Sequence, residues 1–130
     1  MTEPQALAFD QPQLQAHLQA LSAEALNDVA FGIIGIDAQG IVQRYNTWEQ
    51  KAAGLTREQA MGLHLFGVVA QCMNNFMVAQ RFEDTAAAGV ELDETINYTL
   101  TLRMRPARVR LRLLAKPGEA LRFVCIDRRT

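Results

Sequence analysis

Cys72, in the stretch VVAQCMNN, is the side chain whose surroundings best suit covalent chemistry. It follows an apolar run and precedes a segment with helical spacing. Backbone N–H groups at a helix N-terminus stabilise a thiolate, so a cysteine there is more nucleophilic than an ordinary thiol. The competing reading is an unreactive, partly packed thiol, and the local sequence leaves both open. Cys125, inside the apolar run RFVCID, reads as an inert core thiol. A second group of interest is RYNTWE, residues 44–49, where a tyrosine and a glutamate stand four positions apart after a strand-like run. With Asn46 as a helix N-cap, Glu49 is the third helical residue, and its side chain can return to the cap's N–H. Spacing alone favours that capping role over an acid held for proton transfer. Tyr45 reads as a half-buried aromatic with its hydroxyl at the rim.

Other chemistry finds less support. A cysteine hydrolase needs a histidine base, and neither His17 nor His64 sits in a motif that links it to Cys72. Two scattered histidines and two distant cysteines have no recognisable metal-ligand spacing. Eight of the eleven arginines follow Thr101, a basic third that could attract phosphates. In ARVRLRLL, however, they alternate with Val109, Leu111 and Leu113, which places them on the solvated face of a half-buried strand. Without a zinc-finger or aromatic RNP-like motif, nucleic-acid binding is not expected.

The elements that must position these residues follow from composition and pattern. A chain of 130 residues with 49% apolar residues and a net charge of −1 suits one globular domain with a single sizeable core. No apolar run reaches the length of a membrane span, and the N-terminal residues do not resemble a signal peptide, so a cytoplasmic setting is expected. Asp10 is expected to cap a short helix striped by Leu14, Leu18 and Leu21, and Ser22 a further turn ending near Asn27. FGIIGID and IVQRYN, joined through Gly40, predict a β-hairpin. Thr56 and Gln59 have capping-box spacing, and Asn74 or Asn75 is expected to start a helix with Phe76, Ala79, Phe82 and Ala86 on one face, ended by Gly89. Three strands are predicted over residues 94–103, 107–116 and 121–128, with turns at Pro106 and at Pro117–Gly118. The order predicts an α+β fold, one antiparallel sheet with helices on its faces.

Taken in order, AFG at residues 30–32, Tyr45–Asn46 with Glu49, VAxC at 69–72, Tyr98–Thr99, and then Met104, Pro106 and Val109 resemble the photoactive yellow protein family, light sensors of the PAS-domain superfamily. The resemblance runs from about residue 26 to 127, and Phe9 stands where the family has phenylalanine. It implies a PAS-like fold, with residues 1–28 as an N-terminal helical cap over a chromophore-binding core at 29–130. It further implies p-coumaric acid (4-hydroxycinnamic acid) joined to Cys72 as a thioester, with its phenolic end against Tyr45 and Glu49. Ile34, Ala53, Leu55, Val69, Ala70, Tyr98, Leu100 and Met104 would line the pocket. The protein would then be a non-enzymatic blue-light receptor, monomeric or weakly dimeric, that signals to an unidentified downstream protein and binds neither nucleic acid nor membrane. The alternative is a PAS interaction or ligand-binding module without photochemistry.

The implied chemistry has a physical rationale. A phenol has a pKa of about 10, and burial without partners raises it. A buried phenolate therefore needs strong donors: Tyr45 can be one, and Glu49 can be the other only when protonated. Light would isomerise the chromophore from trans to cis and move the Glu49 proton to it. A buried carboxylate without its counterpart would remain, at a cost of roughly several kcal/mol. Against a domain stability of about 5–15 kcal/mol, that cost can release weakly docked helices. The chain departs from the family at several positions: Leu55 replaces an arginine, Ala53 a threonine, Leu100 an aromatic, Gln71 a proline and Phe123 a tryptophan. Trp48 is expected to compensate with bulk, and colour and recovery rate are expected to differ from the family's.

Overall fold

The computed structural model describes residues 7–101 and 106–128. A five-stranded antiparallel sheet forms the centre, in the order β2-β1-β5-β4-β3. Its strands are β1 (Gly32–Ile36), β2 (Val42–Tyr45), β3 (Leu92–Leu100), β4 (Ala107–Ala115) and β5 (Arg122–Asp127). The hairpin β1–β2 turns through Gly40, whose φ of 82° is readily adopted only without a Cβ. Between β2 and β3 lie α2 (Thr47–Ala53), α3 (Arg57–Ala60), a wide turn (Leu65–Val69), a 3-10 turn (Gln71–Met73) and α4 (Ala79–Ala88). Helix α1 (Leu14–Ala20) and a 3-10 turn (Ala25–Asp28) precede the sheet.

Both faces of the sheet are covered, and the alternation of side chains sorts them into two cores. Ile34, Leu111, Leu113, Val124 and Ile126 face α3, α4 and the connecting turns. Ile33, Leu114, Phe123 and Cys125 face the N-terminal segment, which contributes Phe9, Leu14, Leu18 and Leu26. The leucine stripe of α1 is thus its docking face, which a helix this short needs in order to persist.

Several expectations change. Asp10 does not cap α1; the capping position is Gln13, and the Asp10 carboxylate is drawn instead to Arg110 on β4. The β4 arginines are solvated only in part: Arg108 is exposed and Arg110 is half-buried, but Arg112 is 6% exposed, because the N-terminal segment lies over it and Phe9 and Gln11 turn their carbonyls to its guanidinium. Helix α4 begins later than predicted, at Ala79, and Phe76 is 78% exposed. Asn75 accepts from Met77 N and Val78 N, holding a turn that carries Phe76 outward before the helix starts. Strand β3 spans Leu92–Leu100, and residues 102–105 of the link to β4 fall outside the described residues. The capping box of α3 is present as expected, with Thr56 and Gln59 bonded reciprocally.

Candidate functional site

Asn46 organises the region. Its side-chain oxygen accepts from Glu49 N at 3.1 Å and from Ile33 N at 3.0 Å. Its amide donates to the carbonyls of Leu26 and Phe31 at 3.0 and 2.9 Å. One buried side chain therefore caps α2, braces β1 and holds the end of the N-terminal segment. The cap sets the first turn of α2 so that Glu49 points inward, where it is 1% exposed. Gly32 makes the space: a Cβ there would lie 2.1 Å from Glu49 Oε1.

The Glu49 carboxylate does not return to the cap's N–H, which donates to Ile33 O instead. It is held by Arg128, whose Nη1 donates to Oε1 at 2.7 Å and Nη2 to Oε2 at 2.9 Å. Two parallel N–H···O bonds of this length are the fork by which a guanidinium grips a carboxylate. Burial pushes the Glu49 carboxyl above its usual range, and the bonds and charge of Arg128 pull against that rise. Burial works against the Arg128 charge, but the bonds and charge of Glu49, with Tyr45, outweigh it and hold Arg128 above its ordinary value. A deprotonated Glu49 thus has a counterpart, contrary to the expectation of a lone carboxylate.

A cavity of about 200 Å³ is lined by Ile34, Tyr45, Glu49, Ala53, Leu55, Val69, Ala70, Met73 and Ile126. Drug-sized pockets run to ~300–1,000 Å³, so this one suits a single-ring guest. Five of the expected pocket residues (Ile34, Ala53, Leu55, Val69 and Ala70) line it together with Tyr45 and Glu49. Leu100 is buried in the core on the same side, Tyr98 is partly buried against that core, and neither lines the cavity. Met104 lies outside the described residues. Trp48 is 46% exposed and adds no bulk to the pocket, because the inner face of α2 carries Glu49 and its neighbour Trp48 points away.

Cys72 is half-buried against the same core, in the 3-10 turn just past Ala70. It does not stand at the N-terminus of α4, so the helix-dipole reading of its reactivity does not apply. Its backbone is fixed instead: Cys72 O accepts from Tyr98 Oη at 2.6 Å and from Asn75 Nδ2 at 3.2 Å. Cys125 is fully buried, and burial pushes its thiol well up. His64 accepts from Gly67 N through Nδ1 and braces the wide turn, and His17 is exposed on α1. Among the described residues no group of His, Cys, Asp and Glu could hold a metal ion. No helix among them is long and apolar enough to cross a membrane.

Arg128, Met73 and Ile126 escape a reading by local motif. Arg128 had a signal: Val124 and Ile126 face the pocket side, and the next residue in that period-two series is an arginine.

One five-stranded antiparallel sheet flanked by short helices is the architecture of a PAS domain, and the PAS fold family matches residues 21–128. Within that fold the chain belongs to the photoactive yellow protein family. It is 30% identical over 105 residues to a photoactive yellow protein of Halochromatium salexigens, covering 81% of this chain and 83% of that one. To a photoactive yellow protein of Rhodothalassium salexigens it is 24% identical over 107 residues, covering 82% and 85%. The photoactive yellow protein domain of the sensor histidine kinase Ppr from Rhodospirillum centenum superposes with a TM-score of 0.78 at 24% identity, covering 89% of this chain and 99% of that one.

Proposed function

We propose that the protein is a blue-light photoreceptor whose chromophore, p-coumaric acid, is held as a thioester on Cys72. When bound, the chromophore supplies visible absorption, a phenolic oxygen and a double bond that isomerises in light. The observation that carries the reading is the shared cavity. Its wall includes a phenol, Tyr45, a buried acid, Glu49, and Val69, Ala70 and Met73, which flank Cys72 along the chain. The space that Gly32 leaves beside Glu49 fits the need for a buried acid at the phenolic end.

Attachment requires the Cys72 Sγ to attack an activated carboxyl carbon; a C–S bond forms, the bond to the activating group breaks, and the thiol proton leaves to solvent. The Cys72 carbonyl, anchored by Tyr98 Oη, fixes the backbone from which that sulfur projects. Tyr45 donates one hydrogen bond to the phenolic oxygen, and Glu49, when protonated, holds the other proton at its carboxyl oxygen. The apolar wall of Ile34, Leu55, Val69, Met73 and Ile126 excludes water, which strengthens both bonds. Residues 1–28 are the segment whose docking responds to a change in this site, over a core at 29–130. The receiver is a downstream signalling protein, and the chain acts as a cytoplasmic monomer or weak dimer.

The test is reconstitution of the purified apoprotein with activated p-coumaric acid. A yellow adduct of added mass, absent from Cys72→Ala, is expected. No colour and no mass change would overturn the reading in favour of a PAS module that works through its surfaces or another ligand. Steady turnover of a thioester without an adduct would point to an enzyme.

A further inference from the structure

The photochemical scheme above gives Arg128 no task, yet it makes the best-formed polar contact in the site. Its fork to Glu49 uses both nitrogens and both oxygens. The space is shared by three elements: α2 carries Glu49, β1 contributes the bare Gly32, and Arg128 follows β5. Among the described residues Arg128 is the charged group that acts on Glu49, and Tyr45 is the other titratable group that acts on Arg128.

We propose that Arg128 is the resident counterion of Glu49. It keeps the acid ionised while the pocket holds no anion, and takes back the carboxylate whenever Glu49 gives up its proton. The inference depends on the proposed function only for the identity of the anion. A carboxylate has no proton to donate, so Glu49 cannot serve a phenolate in the state gripped by Arg128. Binding the phenolate through Glu49 therefore requires a proton at its carboxyl oxygen, which the incoming phenol, with a pKa of about 10, brings with it. The neutral acid then no longer requires the guanidinium. When that proton is later lost, the carboxylate returns to a cation already in reach and is never buried alone. Breaking a buried pair by deleting one member leaves an uncompensated charge. Without Arg128 the buried Glu49 should take up a proton at neutral pH.

Infrared spectroscopy of the full-length apoprotein at pH 7 tests this directly, because a protonated carboxyl has a C=O band that a carboxylate lacks. The Glu49 band is assigned by subtraction of Glu49→Gln. Wild type is expected to lack the band, Arg128→Gln to show it, and Arg128→Lys, which restores the charge, to suppress it. A Glu49 band in the wild-type apoprotein, its absence from folded Arg128→Gln, or no suppression in Arg128→Lys would overturn the proposal. If Arg128→Gln does not fold, adding Glu49→Gln removes the stranded acid and should restore folding; a double variant no better than the single would also overturn it. With p-coumaric acid attached, the wild-type protein should gain the band, and an adduct without it would overturn the proton-linked binding. Failure of any adduct to form would overturn the proposed function, leaving the apoprotein bands to decide the role of Arg128.

Discussion

Glu49 owes its position to an atom that is missing from its neighbour. A Cβ on residue 32 would meet Glu49 Oε1 at 2.1 Å and Ile126 Cβ at 3.3 Å, so Gly32→Ala overfills a packed site. Overpacking of this kind costs about 1–3 kcal/mol, and thermal melts of the two proteins measure it. Adding Glu49→Ala removes the obstructed carboxylate. The double variant is therefore expected to be more stable than the sum of the single effects, and strict additivity would place the strain at Ile126 instead. At this scale the sequence was informative where the partners are close along the chain. Asn46 three residues before Glu49 announces a cap, and the Glu49 N–H to Asn46 Oδ1 bond is there. The other half of the capping box is not, because Arg128 competes for the carboxylate across a separation of 79 residues. A charge-assisted, bidentate grip outweighs one bond to a backbone N–H, and no local spacing reports such a partner.

The β1–β2 hairpin positions Tyr45 and Asn46, and its turn is closed by one carboxylate. Asp37 Oδ1 accepts from Gln39 N at 2.9 Å and Ile41 N at 3.0 Å, and Oδ2 accepts from Gln43 Nε2 at 3.1 Å. The bond from Ile41 is the main cause that holds the Asp37 carboxyl below its usual range, and burial only partly opposes it. A folded-state pKa below the unfolded value of about 3.9 means that the contribution is complete above that pH and lost as pH falls through the lowered value. Asp37→Ala is expected to cost about 1 kcal/mol at pH 7. Chemical denaturation as a function of pH should show the gap to wild type closing below about pH 4, and a gap that widens in acid would contradict the assignment. The hairpin, the α3 capping box and the leucine stripe of α1 were legible because turn residues and apolar periods are written locally. The start of α4 was not. The spacing of Asn74 and Asn75 suits a helix cap, but Asn75 holds a turn that leaves Phe76 in solvent. Side-chain capping bonds are common to both structures, so the sequence pattern does not separate them.

Across the whole molecule the sheet separates a cavity face from a face covered by the N-terminal segment, and β4 and β5 carry charge on the covered side. Arg112 donates to Asp93 at 2.8 and 2.9 Å, to Phe9 O at 2.9 Å and to Gln11 O at 2.7 Å. Arg110 binds Asp10 and Asp127 and lies over the Phe9 ring, 4.9 Å from its centroid. Asp127 immediately precedes Arg128, so neighbouring residues on one strand end serve the docked segment and the buried acid. The alternation in ARVRLRLL specifies a strand, but nothing in the pattern shows that another segment covers part of its polar face, at Arg110 and Arg112. Arg112→Leu tests what the arginine does there. Leucine keeps apolar bulk but cannot satisfy the carbonyls of Phe9 and Gln11, nor pair with Asp93. The lost bonds are worth about 1–3 kcal/mol, set against apolar burial by Phe9, Leu14 and Leu18 that the variant leaves intact. Amides of residues 14–28 are therefore expected to exchange with deuterium faster in the variant, while those shared by β4 and β5 stay protected, since local opening need not cost the global stability. Equal acceleration in the sheet would mean that Arg112 supports the whole fold. No acceleration in residues 14–28 would mean that the apolar stripe alone holds the segment down.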